Sequence, residues 1–197
     1  YTWDYHEMMN AFHRHPKVGG WLYTEHHDVI NEWNGYVRFD RTPKHDGLGE
    51  LFPGMSLKDL HADAYVALDE ELCRTYEPRK PFLVPATISL VTDKYAGQEL
   101  VLRWDYRWFG ADGRLREAPG GSMPLGKAKG WQNEKIADVR AMPPADDCAG
   151  VLCVTLYAGR KPIARNFHCY VAYSDATTPA VKPAKAFASS GSDVTKS

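Results

Sequence analysis

The stretch Glu99-Leu100-Val101-Leu102-Arg103-Trp104-Asp105-Tyr106-Arg107-Trp108-Phe109 decides the fold class. Leu100, Leu102, Trp104, Tyr106 and Trp108 fall on one side of an extended chain; Glu99, Arg103, Asp105 and Arg107 fall on the other. Successive side chains of a strand point to opposite faces, so this alternation predicts a strand with one face on a core and the other in water. The aromatic row is either core or an exposed stacking platform, and full alternation favours core. Outward from this strand, Gly110-Ala111-Asp112-Gly113 reads as a hairpin turn, and Ala158-Gly159-Arg160-Lys161 joins Val151–Tyr157 to Ile163–Tyr173 as a second hairpin. Ala64–Leu68 and the β-branched run Thr87–Thr92 read as strands, Glu134–Ala141 as a weaker one, and the Gly- and Pro-rich Ala118–Gly130 as a loop. Roughly six strands with these turns fit an immunoglobulin-like β-sandwich. Beyond Tyr173 the chain is Ala, Ser, Thr, Pro and Lys with no apolar face, which predicts a flexible tail or linker.

The N-terminal part has a different pattern. Asp4 and Glu7 form a capping box, and Tyr5, Met8, Met9 and Phe12 share one helical face until Pro16 stops the helix. Val18 to Tyr23 (Val-Gly-Gly-Trp-Leu-Tyr) shows no alternation, as expected of a strand buried on both faces of a parallel sheet. Helix, turn and buried strand make an αβ unit whose strand needs neighbours that this chain does not supply, so the sheet is expected in sequence outside it. The start at Tyr1, inside a helix cap, adds to the expectation of a fragment. Asn34-Gly35, Thr42-Pro43 and Asp46-Gly47 mark residues 24–47 as a long loop, after which Ser56 and Asp59 cap one helical turn. The expected organisation is the last αβ unit of a (β/α)8 barrel over residues 1–55, a β-sandwich over 56–173 and a tail over 174–197, mostly β overall.

Composition bounds the function. An apolar fraction of 44% with 12% aromatics suits a globular chain, and a formal charge of -1 leaves no basic surplus for a phosphate backbone, so nucleic acid is not an expected partner. No apolar run approaches the ~20 residues of a membrane helix, and no signal-peptide pattern opens the chain. Cys73, Cys148, Cys153 and Cys169 match neither a zinc knuckle nor a disulfide scaffold; Cys153 and Cys169 read as buried strand thiols, while a disulfide through Cys148, in a loop, stays open. The compartment is open too, with a periplasmic or secreted setting favoured over a cytoplasmic one.

Polar groups concentrate directly after the buried strand, in Tyr23-Thr24-Glu25-His26-His27-Asp28-Val29-Ile30-Asn31-Glu32-Trp33-Asn34-Gly35. Residues just past the C-terminal end of a barrel strand line the active site. Carboxylates and amides accept and donate to sugar hydroxyls, and an indole face covers a pyranose ring, so Glu25, His26, Asp28, Asn31, Trp33 and Asn34 are the candidate substrate-binding residues. A metal is the first rival, but His26 and His27 are adjacent and point opposite ways on an extended segment, so no metal is expected. The plainer rival is that Asp28, Asn31 and Asn34 cap turns while Trp33 is core.

Val18 to Tyr36, followed by Phe39-Asp40-Arg41-Thr42-Pro43-Lys44, resembles the end of the catalytic barrel of glycoside hydrolase family 2, which includes β-galactosidases, β-glucuronidases and β-mannosidases. The resemblance covers roughly residues 4–44: the helix ending Arg14-His15-Pro16, the last barrel strand, and the Asn-Gly then Asp-Arg-x-Pro-Lys exit toward sandwich domains. It implies a retaining enzyme in which one glutamate protonates the leaving oxygen and a second attacks the anomeric carbon, the carboxyls standing about 5 Å apart. In the family both come from earlier barrel strands. Asn31-Glu32 lies after the last strand, where the acid/base is not placed, so no catalytic residue is assigned here. The resemblance also implies that no cofactor is needed and that the partners are a carbohydrate substrate and the rest of the barrel. The alternative is a non-catalytic carbohydrate-binding or structural β-sandwich module.

Overall fold

The described residues form eight strands, β1 (Ala64–Leu68), β2 (Cys73–Tyr76), β3 (Phe82–Leu90), β4 (Glu99–Gly110), β5 (Leu115–Lys127), β6 (Asn133–Ala141), β7 (Cys148–Ala158) and β8 (Lys161–Ala172). Three helices precede them: α1 (Thr2–Arg14), α2 (Leu48–Leu51) and α3 (Leu57–Leu60). The computed structural model describes residues 2–69, 71 and 73–174, so the expected tail lies outside the described residues apart from its first position. The strands form a three-stranded sheet, β1-β3-β6, and a five-stranded sheet, β2-β8-β7-β4-β5. Their inner faces share one core: Val66, Val84 and Ile88 from the first meet Leu102, Leu152, Val154 and Leu156 from the second. This is a mostly β, two-layer sandwich.

The deciding strand behaves as its alternation requires. Leu100, Leu102 and Trp104 are buried, with Trp104 only 8% exposed, and Tyr106 and Trp108 pack partly buried against the same core. The aromatic row is therefore core and not a stacking platform. Both expected hairpins are present, with β4 paired antiparallel to β5 and β7 to β8. Residues 118–130, expected as a loop, instead supply most of β5. The reason is Trp104: a Cβ at Gly120 or Gly121 would lie 2.3 or 2.6 Å from its indole, so the glycines are the space in which the ring sits. Pro119 and Pro124 are tolerated because β5 is an edge strand, with register shifts at both places.

A second core lies outside the sandwich, where Tyr5 and Met9 of α1, Leu48, Met55 and Leu60 cover Tyr65 and Ala67 of β1 and Phe167 and Cys169 of β8. All five residues of β1 are buried because it has the sandwich core on one face and this helical layer on the other. The buried stripe of α1 is Tyr5, His6, Met9, Asn10 and His13. It is rotated from the expected face: Met8 is exposed and three polar side chains point inward.

Those polar groups have partners across the seam between the sheets. Asn166 on β8 donates to the Val66 carbonyl at 2.6 Å and to Asn10 Oδ1 at 2.7 Å, and Asn10 Oδ1 also accepts from the Leu68 amide at 3.0 Å. His6 Nε2 donates to Asn166 Oδ1, which accepts from the Phe167 amide at 2.8 Å as well. His13 stacks on Tyr65 at 4.0 Å and reaches Ser89 Oγ at 3.1 Å. Each of the three side chains is thus bonded through at least one atom, while His6 Nδ1 and His13 Nε2 are buried without a partner. Burial drives His6 and His13 down to about 4, keeping both neutral.

Residues 18–23, expected as a doubly buried strand, form no strand among the described residues, and Leu22 is 91% exposed. Trp21 and Tyr23 lie against the helical layer instead. Cys148 begins β7 rather than sitting in a loop, and all four cysteines are free thiols.

Candidate functional site

The loop after Tyr23 holds its shape through its own backbone. His26 O accepts from the Tyr36 amide at 3.0 Å, the Asp28 amide donates to Val37 O at 3.0 Å, and Val29 and Glu32 exchange amide bonds at 2.9 and 3.1 Å. Two chain segments cross at Gly35, where a Cβ would meet the His27 carbonyl carbon at 2.2 Å, so only glycine fits. The exit turn closes similarly: Asp40 Oδ1 accepts from the Thr42 amide at 3.0 Å and hydroxyl at 2.6 Å, and these bonds hold its carboxyl below the usual range.

Asp28 is the brace of this loop. It is 8% exposed, and its Oδ1 accepts from the Gly35 amide at 3.0 Å and from Lys44 Nζ at 2.6 Å. The same ammonium donates to the Trp33 carbonyl at 2.7 Å, so Lys44 ties the exit turn to both ends of the 28–33 arc. Asn34 is likewise engaged internally, donating to Thr24 O at 2.9 Å while its own carbonyl accepts from the Tyr23 hydroxyl. Behind the loop, the Tyr5 and Tyr36 hydroxyls lie 2.5 and 2.6 Å from His61 Nε2, and Tyr23 stacks on Tyr36 at 4.3 Å. These contacts join loop, α1 and the end of α3.

With the backbone fixed, large apolar side chains are left outside. Trp33 is 80% and Ile30 81% exposed, and with Phe39 they rim a cleft of about 870 Å³ that Arg38, Asp40 and His45 also line. Of the six candidate residues, Asp28 and Trp33 line this cleft, whereas Glu25, His26, Asn31 and Asn34 do not. Glu25 is near Glu32: partial desolvation and a hydrogen bond shared with the Glu32 carboxyl raise its pKa. His26 and Asn31 are exposed on the loop surface. Trp33 is not core, which removes one half of the plainer reading, while the bracing roles of Asp28 and Asn34 agree with the other half. Lys44, Ile30 and Phe39 were not among the candidates. The lysine sits sixteen residues from Asp28, and nothing in local spacing signals that the exit turn folds back onto it. Among the described residues no cluster of three metal-ligating side chains occurs, and no helix is long and apolar enough to cross a membrane.

A cavity of comparable size, about 800 Å³, opens at the end of β2 between Tyr76, Glu77, Arg79, Asp146 and Asp147. Tyr173, 38% exposed, also lines it, but the cavity holds no indole as open to solvent as Trp33.

No family model matches the sequence, and no curated protein matches it. Among solved structures the chain is similar to the alkylpurine DNA glycosylase AlkC of Pseudomonas fluorescens (TM-score 0.39, 9% identity, 66% of this chain and 34% of that one). It is also similar to the sporulation control protein Spo0M of Bacillus subtilis (0.34, 12%, 56% and 49%). A third likeness is to the superoxide reductase of Ignicoccus hospitalis (0.33, 6%, 57% and 83%). The chain thus spans about a third and a half of the first two, and these weak, chemically unrelated likenesses assign no activity.

Proposed function

We propose that the chain is the C-terminal part of a retaining glycoside hydrolase of family 2 type acting on β-glycosides, contributing a wall of the sugar pocket but neither catalytic carboxylate. On this reading residues 1–55 correspond in sequence to the last αβ unit and exit loop of the barrel, although residues 18–23 form no strand here, residues 56–173 are an immunoglobulin-like sandwich, and the partners are a carbohydrate and the rest of the barrel. The observation that carries it is Trp33. An indole 80% exposed at the rim of a cleft with Arg38, Asp40 and His45, on a backbone whose Trp33 carbonyl accepts from Lys44, combines a stacking face with hydroxyl-binding groups. It lies within the segment that resembles the family. No cofactor enters the proposed chemistry, in which two carboxylates on the missing strands do the work.

A second reading, a non-catalytic β-sandwich module that packs between domains, is favoured by the internal use of Asp28 and Asn34 and by the burial of the Trp104 row.

Titration with β-galactosides, β-glucuronides and β-mannosides, followed by tryptophan fluorescence, separates the two. The glycosidase reading expects weak, roughly millimolar, saturable binding of one sugar class, lost in Trp33→Ala at unchanged Tm, without hydrolysis of aryl glycosides. Binding of no sugar, with Trp33 quenched only by an added protein domain, overturns it; so does turnover by this chain alone.

A further inference from the structure

We propose that Cys73 and Cys169 form a disulfide when the folded chain meets a small-molecule disulfide such as glutathione disulfide, making the β2 edge of the five-stranded sheet a thiol-modification site. The two cysteines are direct register partners in the parallel pairing of β2 with β8. Neighbouring strands lie about 4.8 Å apart, and register partners project from the same face, which sets the two Cα atoms within the roughly 4.4–6.8 Å window of a disulfide.

The other two thiols are excluded by the same register. Cys153 is opposite Phe167, so it is a diagonal neighbour of Cys169, and diagonal positions are about 7–8 Å apart, outside that window. Cys148 is opposite Ala172 and contributes to the sandwich core, whereas Cys169 faces the helical layer on the opposite side of the sheet.

Access gives the order of events. Cys73 is exposed and Cys169 buried. The Cys73 thiolate attacks glutathione disulfide, forming a Cys73–glutathione mixed disulfide and releasing one glutathione thiolate. The Cys169 thiolate then attacks the Cys73 sulfur and expels the second. Two protein thiols are oxidised, one glutathione disulfide is reduced to two glutathiones, and the thiol protons pass to solvent or to the departing thiolates. Burial raises the Cys73 thiol and pushes Cys169 up to about 12, so the exchange is slow at neutral pH and quickens in mild alkali. The bond would staple β2, a strand of four residues joined to the sheet by its four pairings with β8, across a long loop of chain.

The experiment treats the folded chain with excess glutathione disulfide at mildly alkaline pH, then counts free thiols and maps peptides without reduction. The four free thiols should fall to two, with Cys73 and Cys169 in one linked peptide pair. Cys148→Ser should still lose two thiols, Cys73→Ser should lose none, and Tm should rise by several degrees on oxidation only where Cys73 is present. A stable mixed disulfide at Cys73 without a cross-link, a linked pair containing Cys148 or Cys153, or an unchanged thiol count in a chain shown to be folded overturns the proposal. The peptide map of the unsubstituted chain decides the matter even if a variant fails to fold.

Discussion

Asn166→Ala tests how the helical layer is fastened to the sandwich. Asn166 is fully buried and makes four bonds: it donates to the Val66 carbonyl and Asn10 Oδ1, and it accepts from the Phe167 amide and His6. Truncation removes a partner from three groups, namely the Val66 carbonyl, the Phe167 amide and His6 Nε2; Asn10 Oδ1 keeps the Leu68 amide. At about 1–3 kcal/mol for each buried group left unsatisfied, and allowing for partial relaxation, the cost is about 3–6 kcal/mol. For a chain of this size that lowers Tm by roughly 6–24 °C. Thermal and urea melts followed by circular dichroism measure it. Asn166→Asp separates bonding from packing: it keeps the volume but sets a second acceptor against the Val66 carbonyl and Asn10 Oδ1, so it should be at least as damaging. A double-mutant cycle with Asn10→Ala should be less than additive, because both changes break the same bond. An Asn166→Ala protein melting within about 2 °C of the parent, or a well-tolerated Asn166→Asp, would refute the reasoning.

Acid should weaken the fold before carboxylates titrate. His6, His13 and His168 are driven down to about 4 chiefly by burial, below an unfolded value near 6.5, so stability is full above about pH 6.5 and is lost as pH falls toward 4, by up to about 3 kcal/mol for each; urea melts at pH 7 and 4.5 should differ by several kcal/mol, and a flat profile contradicts this. Gly121→Ala drives a methyl to within 2.6 Å of the Trp104 ring and should cost about 1–3 kcal/mol with a shifted indole emission; unchanged melting means that β5 moves away freely. Asp28→Ala strips the brace from Gly35 and Lys44 and should loosen residues 26–44 to amide exchange by about 3 kcal/mol while the strands keep their protection, whereas Asp28→Asn, which can still accept from Gly35, should cost about 1 kcal/mol; equal effects would show that the carboxylate charge matters more than the bond.

The strands were legible where one face is apolar and the turn residues are explicit, as in β4, β7 and β8. They were missed where packing overrides local preference. Residues 118–127 look like a loop because Gly120, Gly121, Pro119 and Pro124 disfavour strands in isolation, yet the glycines are what admits Trp104 and the prolines stand on an edge. β2 is four residues long, mostly exposed and held by its neighbour, so it carries no periodic signal. The α1 face was misread for a related reason: periodicity of apolar residues picks Met8, but His6, Asn10 and His13 are buried by bonds to β1, β3 and β8, and those partners are far away in sequence.

The loop and the sandwich treat the same residue types in opposite ways, and the difference is backbone pairing. Within the sheets, each ladder satisfies the main chain and presses alternate side chains onto a facing layer, so Trp104 ends 8% exposed. In residues 26–44 main-chain groups are satisfied by short local exchanges, by the Asp28 and Asp40 carboxylates accepting from amides, and by Lys44 donating to the Trp33 carbonyl, leaving no continuous face for the apolar side chains to press against. Ile30, Trp33 and Phe39 are consequently exposed around one cleft. Side chains of this size favour burial by about 1.5–3 kcal/mol each, and Leu22, just before the loop, is exposed as well, so on either proposed reading a partner would cover some of these groups. A sugar needs only the Trp33 face and the hydroxyl-binding groups of the cleft; a protein layer packed on this side would also cover Leu22. Solvent protection of Leu22 and Trp33 together, or of Trp33 alone, is therefore the quantity that distinguishes a ligand from a neighbouring layer of protein.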